Sequence, residues 1–222
     1  MNINIAYLYY DLMNLYGESG NIKALVHSLK NQNVKVNVDY LSKGDKIDFD
    51  KYDVIYLSCG TEENQLIMLD DILQYEKELK KFIENDKFIF ATGNSFEIFG
   101  KNIDKINALS IFDYSAEYID KRIVGDYQIE TKIDKILAFQ NRGSKIINNN
   151  SPLFDEEVGF NYKNFYGTYL IGPILVRNPK LNEYITKKII TTKDPKFKFE
   201  KFDLDFDVKA KKSYLKTYYN VD

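Results

Sequence analysis

The sequence predicts an α/β fold with a mostly parallel central sheet and helices on both faces. Three observations predict it. Apolar runs of strand length, at residues 2–10, 53–58 and 87–92, are separated by segments whose apolar residues recur at helical spacing. Two of these runs are nearly continuous rather than alternating, the pattern of strands covered on both faces. The run ending at Thr92 gives way through Gly93-Asn94-Ser95 to Phe96 and Phe99, so a strand hands over to a helix at a tight elbow. Ligands collect at the carboxyl ends of strands in open sheets of this class, which makes the elbow the centre of the chain. Its tip, Gly93, has no side chain, and the neighbouring hydroxyls of Thr92 and Ser95 need a base to become reactive.

In order, Ile3, Ile5, Tyr7 and Leu8 mark a first strand over residues 2–10, followed by a loop over 11–20. Ile22, Leu25, Val26 and Leu29 give a helix over 21–31, with the single His27 beside them as a packed or surface residue. Val34, Val36 and Val38 alternate with polar residues, which predicts a strand near the sheet edge over 34–40. The strand over 53–58 reaches Cys59-Gly60-Thr61, and a long amphipathic helix runs from Glu62 to about Asn85. After Gly100 the pattern turns to short strands, at 110–112, 122–128 and 135–139, and then to a loop over 141–152 rich in Gly, Ser and Asn. A strand over 164–170 stops before Pro173, because proline cannot continue a central ladder. Pro179 opens a helix carrying Leu181, Tyr184, Ile185 and Ile189. From Lys193 onward an amphipathic tail is expected to pack on the surface. No internal repeat is present.

With 222 residues and 44% hydrophobic content, the chain is read as one domain over 1–222. Its 31 basic and 33 acidic residues give a net charge of -2, which excludes bulk attraction to nucleic acid or anionic lipid. One Cys and one His rule out a disulfide framework and a Cys/His zinc site. No basic leader and no apolar stretch of membrane-spanning length are seen, so a cytoplasmic chain without membrane insertion is expected. No cofactor is expected. The 18 Tyr and 15 Phe are dispersed and lack the basic interleaving that stacks nucleotides. Asp11, Glu18 and Glu97 lie near strand ends and read as capping or solvated carboxylates, with no spacing that suggests a metal site or an acid/base pair.

Three separated stretches resemble one family, the GatD-like class I glutamine amidotransferases. They are Leu15-Tyr16-Gly17-Glu18-Ser19-Gly20-Asn21, Ser58-Cys59-Gly60-Thr61-Glu62-Glu63-Asn64-Gln65, and the run from Gly167-Thr168-Tyr169-Leu170-Ile171-Gly172-Pro173 to Asn178-Pro179. The resemblance implies a flavodoxin-like class I glutamine amidotransferase fold. It also implies a glutaminase subunit paired as a heterodimer with a MurT-like Mur ligase that amidates the peptidoglycan precursor lipid II, with glutamine as ligand.

The departures from the family pattern bear on activity. The family's nucleophilic Cys falls on Gly93 and its His on Ile171. A motif the family writes Phe-Glu-Asn-His reads Phe139-Gln140-Asn141-Arg142, and Glu97 stands where the family has Gln. Amide hydrolysis through a thioester needs a thiolate, a base and oxyanion donors, and here only the donors remain. The backbone amides of Asn94 and Gly60 are candidates for such a nest, and Arg122 matches the Arg that contacts glutamine or is a surface Arg at a strand start. Cys59, the lone thiol, is either a displaced nucleophile or a small buried residue replacing a turn glycine, and the second is favoured because no His is available to activate it. The expectation is therefore a partner subunit without glutaminase activity. The alternatives are a stand-alone module binding glutamine or another carboxylate, and an enzyme of altered chemistry on Cys59, Thr92 or Ser95.

Overall fold

The computed structural model describes residues 1–219. In chain order the elements are β1 (Asn2–Leu8), α1 (Ser19–Asn31), β2 (Lys35–Leu41), β3 (Val54–Leu57), α2 (Glu62–Ile72), α3 (Glu76–Glu84) and β4 (Phe88–Thr92). A 3-10 helix, Gly93–Phe99, follows, and then β5 (Asn102–Ile103), β6 (Ile106–Asn107), β7 (Ser115–Glu130), β8 (Lys135–Ile147), β9 (Pro152–Leu153), β10 (Asp155–Tyr162) and β11 (Phe165–Thr168). The chain closes with α4 (Ile174–Arg177), α5 (Pro179–Lys193) and α6 (Asp205–Tyr219).

Seven strands form the main sheet in the order β2-β1-β3-β4-β11-β10-β9. The first five are parallel, in registers that pair Ile5 with Val38, Ala6 with Ile55, Ile55 with Ile89 and Ala91 with Gly167. β10 and β9 complete the sheet antiparallel. Side chains of the central strands alternate between two cores, as the two-residue period of a strand requires. Val54, Tyr56, Phe88 and Phe90 face the layer of α1 and α5, whereas Ile55, Leu57, Ile89 and Ala91 face α2, α3 and the 3-10 helix. β2 is an edge strand, in keeping with its polar alternation. The carboxyl ends of β1, β3, β4 and β11 thus emerge on one side, and four loops meet there.

A second sheet, β6-β5-β7-β8, leans over this edge and is tied to it by a two-residue bridge between Phe139 and Ile171. Its backbone groups are paired in both directions, Ile171 N–H to Phe139 O at 2.9 Å and Phe139 N–H to Ile171 O at 3.1 Å.

Several expected elements differ, each for a local reason. The helix expected to reach Asn85 breaks at the 3-10 turn Leu73–Tyr75, which brings the Tyr75 ring to 5.4 Å from Phe49. The element after the elbow is a 3-10 helix, whose three-residue turn suits the spacing of Phe96 and Phe99. Residues 110–112 form no strand, because their N–H groups satisfy the end of that helix: Ser110 donates to Gly100 O, and Ile111 and Phe112 both donate to Phe99 O. The strand expected over 122–128 is part of the longer β7, and the loop expected over 141–152 is strand as far as Ile147. Gly143 and Ser144 lie in β8 opposite an irregularity of β7, where the register jumps from Tyr118–Ser144 to Ile123–Arg142. β10 was not expected from the sequence: it opens on acidic residues, and only Val158, Phe160 and Tyr162 in its second half alternate.

Candidate functional site

The elbow joins β4 to the 3-10 helix through Gly93, whose φ of +65° lies in the left-handed region that favours glycine. The two hydroxyls beside it are committed to structure. Ser95 Oγ donates to Thr92 O at 2.9 Å and to Leu57 O at 3.3 Å, which staples the elbow to the end of β3. Thr92 Oγ1 donates to Glu18 Oε2 at 2.5 Å.

The turn after β3 packs against the elbow. Cys59 is buried, its thiol sits 3.7 Å from Leu15 O, and its carbonyl accepts from Leu15 N at 3.0 Å. Burial, and then the charge of Glu18, push that thiol far above its usual range, the opposite of what a nucleophile needs. The Gly60 amide donates to Asn94 Oδ1 at 3.1 Å, so this member of the expected nest is engaged by the side chain of the other. Thr61 caps α2 by accepting from Asn64 N at 3.1 Å, and Gln65 in the next turn donates to Asn94 O at 2.7 Å.

Two carboxylates read as capping or solvated are fully enclosed instead. Glu18 Oε1 accepts from the Gly172 amide at 2.7 Å, and Oε2 accepts from Thr92, from Asn21 Nδ2 at 3.0 Å and from Tyr56 OH at 3.4 Å. It thereby ties the first loop, the elbow strand and the C-terminal signature together. Burial raises its carboxyl to about 7, against hydrogen bonds that pull it down. Glu97 Oε1 accepts from Tyr169 OH at 2.6 Å and from Ser144 Oγ, and Oε2 accepts from Gln65 Nε2 at 2.6 Å. Its carboxyl is also raised, chiefly by burial, while those bonds and the Arg142 charge oppose the shift. Asp11 is the exposed carboxylate of the three and accepts from Ser42 Oγ at 2.9 Å.

Arg142 is 5% exposed, and its guanidinium lies over the Tyr169 ring at 4.4 Å from the centroid. Its Nε donates to Gln140 Oε1 at 2.8 Å. Arg142 Nη1 also donates to Ser144 O at 3.2 Å, so Glu97 and Arg142 share Ser144 and Tyr169 in one buried cluster. Arg122 sits at the β7 irregularity, half-exposed, paired with Glu62 and donating to Asn141 Oδ1 at 2.9 Å. Asn141 Nδ2 in turn donates to Tyr16 OH at 2.5 Å.

These residues enclose a cleft of about 180 Å³, lined by Tyr16, Cys59, Asn94, Arg122, Asn141 and Arg142 among others. Gly60, Asn94 and Arg122 all line this one cleft. Ile171 is buried and pinned by its bridge to Phe139, and it brings an apolar side chain to this end of the sheet. Sequence reasoning named Arg142 only as part of a motif, and missed Ser144 and the burial of Arg142, Glu18 and Glu97. Among the described residues no group of three or more His, Cys, Asp or Glu is placed to hold a metal ion, and no helix is long and apolar enough to cross a membrane.

Residues 4–179 match the family model of the CobB/CobQ-like glutamine amidotransferase domain. The chain is 28% identical over 218 residues to the lipid II isoglutaminyl synthase (glutamine-hydrolyzing) subunit GatD of Staphylococcus aureus, covering 90% of each chain. It is 30% identical over 200 residues to the subunit of the same name from Streptococcus pneumoniae, covering 81% of this chain and 77% of that one. Among solved structures, the glutaminase domain of Trypanosoma brucei CTPS with bound acivicin aligns at a TM-score of 0.45 and 7% identity, over 86% of this chain and 93% of that chain.

Proposed function

Because the chain belongs to the CobB/CobQ-like glutamine amidotransferase family, we propose that it is a GatD-like subunit without glutaminase activity, serving as the structural or regulatory partner of a MurT-like ligase. In this reading the pair amidates a lipid-linked peptidoglycan precursor with free ammonia or another amine. The observation that carries the reading is the elbow: Gly93 presents no atom for attack, and Ile171 presents no proton acceptor. The remaining thiol does not replace them, because burial holds Cys59 protonated and none of its contacts is a base.

A pure binding role is less well supported. Arg122 is engaged by Glu62 and Asn141, and the Gly60 amide by Asn94, so a carboxylate entering the cleft must first displace both sets of contacts. The test is ammonia release from glutamine by the chain alone and with its candidate ligase, together with co-purification of the two. Silence with stable association is expected; ammonia release, or failure to associate with any Mur-ligase-type protein, sinks the reading. Calorimetry with glutamine and glutamate is expected to be silent at millimolar ligand, and a binding heat would favour the module instead.

A further inference from the structure

The elbow and the turn after β3 compete for one volume. A β-carbon at Gly93 would stand 2.2 Å from Cβ of Cys59, 3.3 Å from its Cα and 3.4 Å from its Sγ. Bonded neighbours aside, carbons do not approach to 2.2 Å, and this distance is too short even for a disulfide, whose β-carbons lie about 3.5–4.5 Å apart. The obstructing atom cannot swing aside as the end of a long side chain would, because Cβ is fixed directly to the backbone.

That backbone is held from two directions. Leu15 N–H donates to Cys59 O at 3.0 Å, and Asn94 Oδ1 accepts from Gly60 N–H at 3.1 Å while its Nδ2 reaches Thr61 O at 3.4 Å. The turn is therefore clamped onto the elbow by the residue next to the tip.

We propose that position 59 decides what position 93 can carry: the Cys59 β-carbon holds the elbow tip to glycine, and a side chain at 93 fits only when position 59 has none. Cys59 on this account fills the nucleophile's space without its chemistry. The proposal deepens the reading of the elbow as a vacated nucleophile position. It means that the loss is not reversed by Gly93→Cys and Ile171→His alone.

The test is thermal unfolding of the full chain carrying Gly93→Ala, Cys59→Gly, Cys59→Ala and the two pairwise combinations. Gly93→Ala should lower Tm by roughly 5–10 °C, from overpacking plus the left-handed backbone. Adding Cys59→Gly should recover at least half of that loss, whereas adding Cys59→Ala, which keeps the β-carbon, should recover none. Additive losses in the Cys59→Gly pair, or equal rescue by Cys59→Ala, overturn the proposal. If Gly93→Ala does not accumulate as folded protein, Cys59→Gly should restore native circular dichroism, and failure to do so also overturns it. This readout is independent of activity. Ammonia release by the unaltered chain would remove the inactive-subunit reading and leave the Tm coupling standing.

Discussion

The backbone amide of Gly172 donates to Oε1 of Glu18 at 2.7 Å, across 154 positions of sequence. The same carboxylate takes the Thr92 hydroxyl on its other oxygen, so one buried acid holds both loops to the first one.

A pH dependence of stability follows. The Glu18 carboxyl moves from 4.5 to about 7 on folding, so the native state binds this proton more tightly than the unfolded chain does. Its contribution is fully present below about pH 4.5 and is lost as pH rises through about 7, a change on the order of 3 kcal/mol. Denaturant midpoints for the unaltered chain and Glu18→Gln, measured between pH 4.5 and 8, should differ in slope over this window. The unaltered chain falls more steeply with rising pH. Equal slopes would mean that the carboxyl is not raised.

The buried cluster of Glu97 and Arg142 should behave as a unit. Glu97→Gln weakens the field between this position and Arg142 and leaves one of three donors without its acceptor, which is expected to cost about 1–3 kcal/mol. Arg142→Met removes the positive field that opposes the raised Glu97 carboxyl, and with it the guanidinium over the Tyr169 ring. A double-mutant cycle is expected to give a coupling of about 1 kcal/mol or more, with the double variant less destabilised than the sum of the singles. Additivity within a few tenths would show that the two charges do not sense one another.

Cys59 should be a slow thiol. With its pKa raised by burial and its Sγ directed at the Leu15 carbonyl, reaction with a disulfide reagent at pH 8 is expected to be roughly 100-fold or more slower in the native chain than in denaturant. A native rate near that of a free thiol would revive Cys59 as a nucleophile.

The parallel core was legible because its strands are buried on both faces and read as apolar runs, and because β4 and β11 end in small or turn-forming residues. The second sheet was less so. Long hairpin strands such as β7 are largely exposed on both faces, so no apolar alternation marks them, and Gly143-Ser144 reads as a turn until the irregularity opposite it is known. The turns that carry Gly60 and Asn94 could be placed because each follows an apolar strand, whereas Arg122 lies within β7, where no such strand end marks it. What spacing could not convey was the tertiary partner: that Asn94 reaches back to the Gly60 amide, that Arg122 meets Glu62, and that Glu18 and Glu97 are enclosed.

The position of β11 beside β4 has a consequence for synthesis. A ribosome that has finished β1 through β4 has made the hydrophobic centre of the sheet but not its neighbour, because Ala91 pairs with Gly167 and Ile89 with Phe165. Until about residue 172 has emerged, β4 presents an open edge, and Glu18 Oε1 lacks the Gly172 amide that donates to it. The nascent chain must therefore carry an unfinished, adhesive sheet through the whole of the β5–β10 segment. Chains truncated inside that segment are expected to aggregate rather than rest as half-folded intermediates.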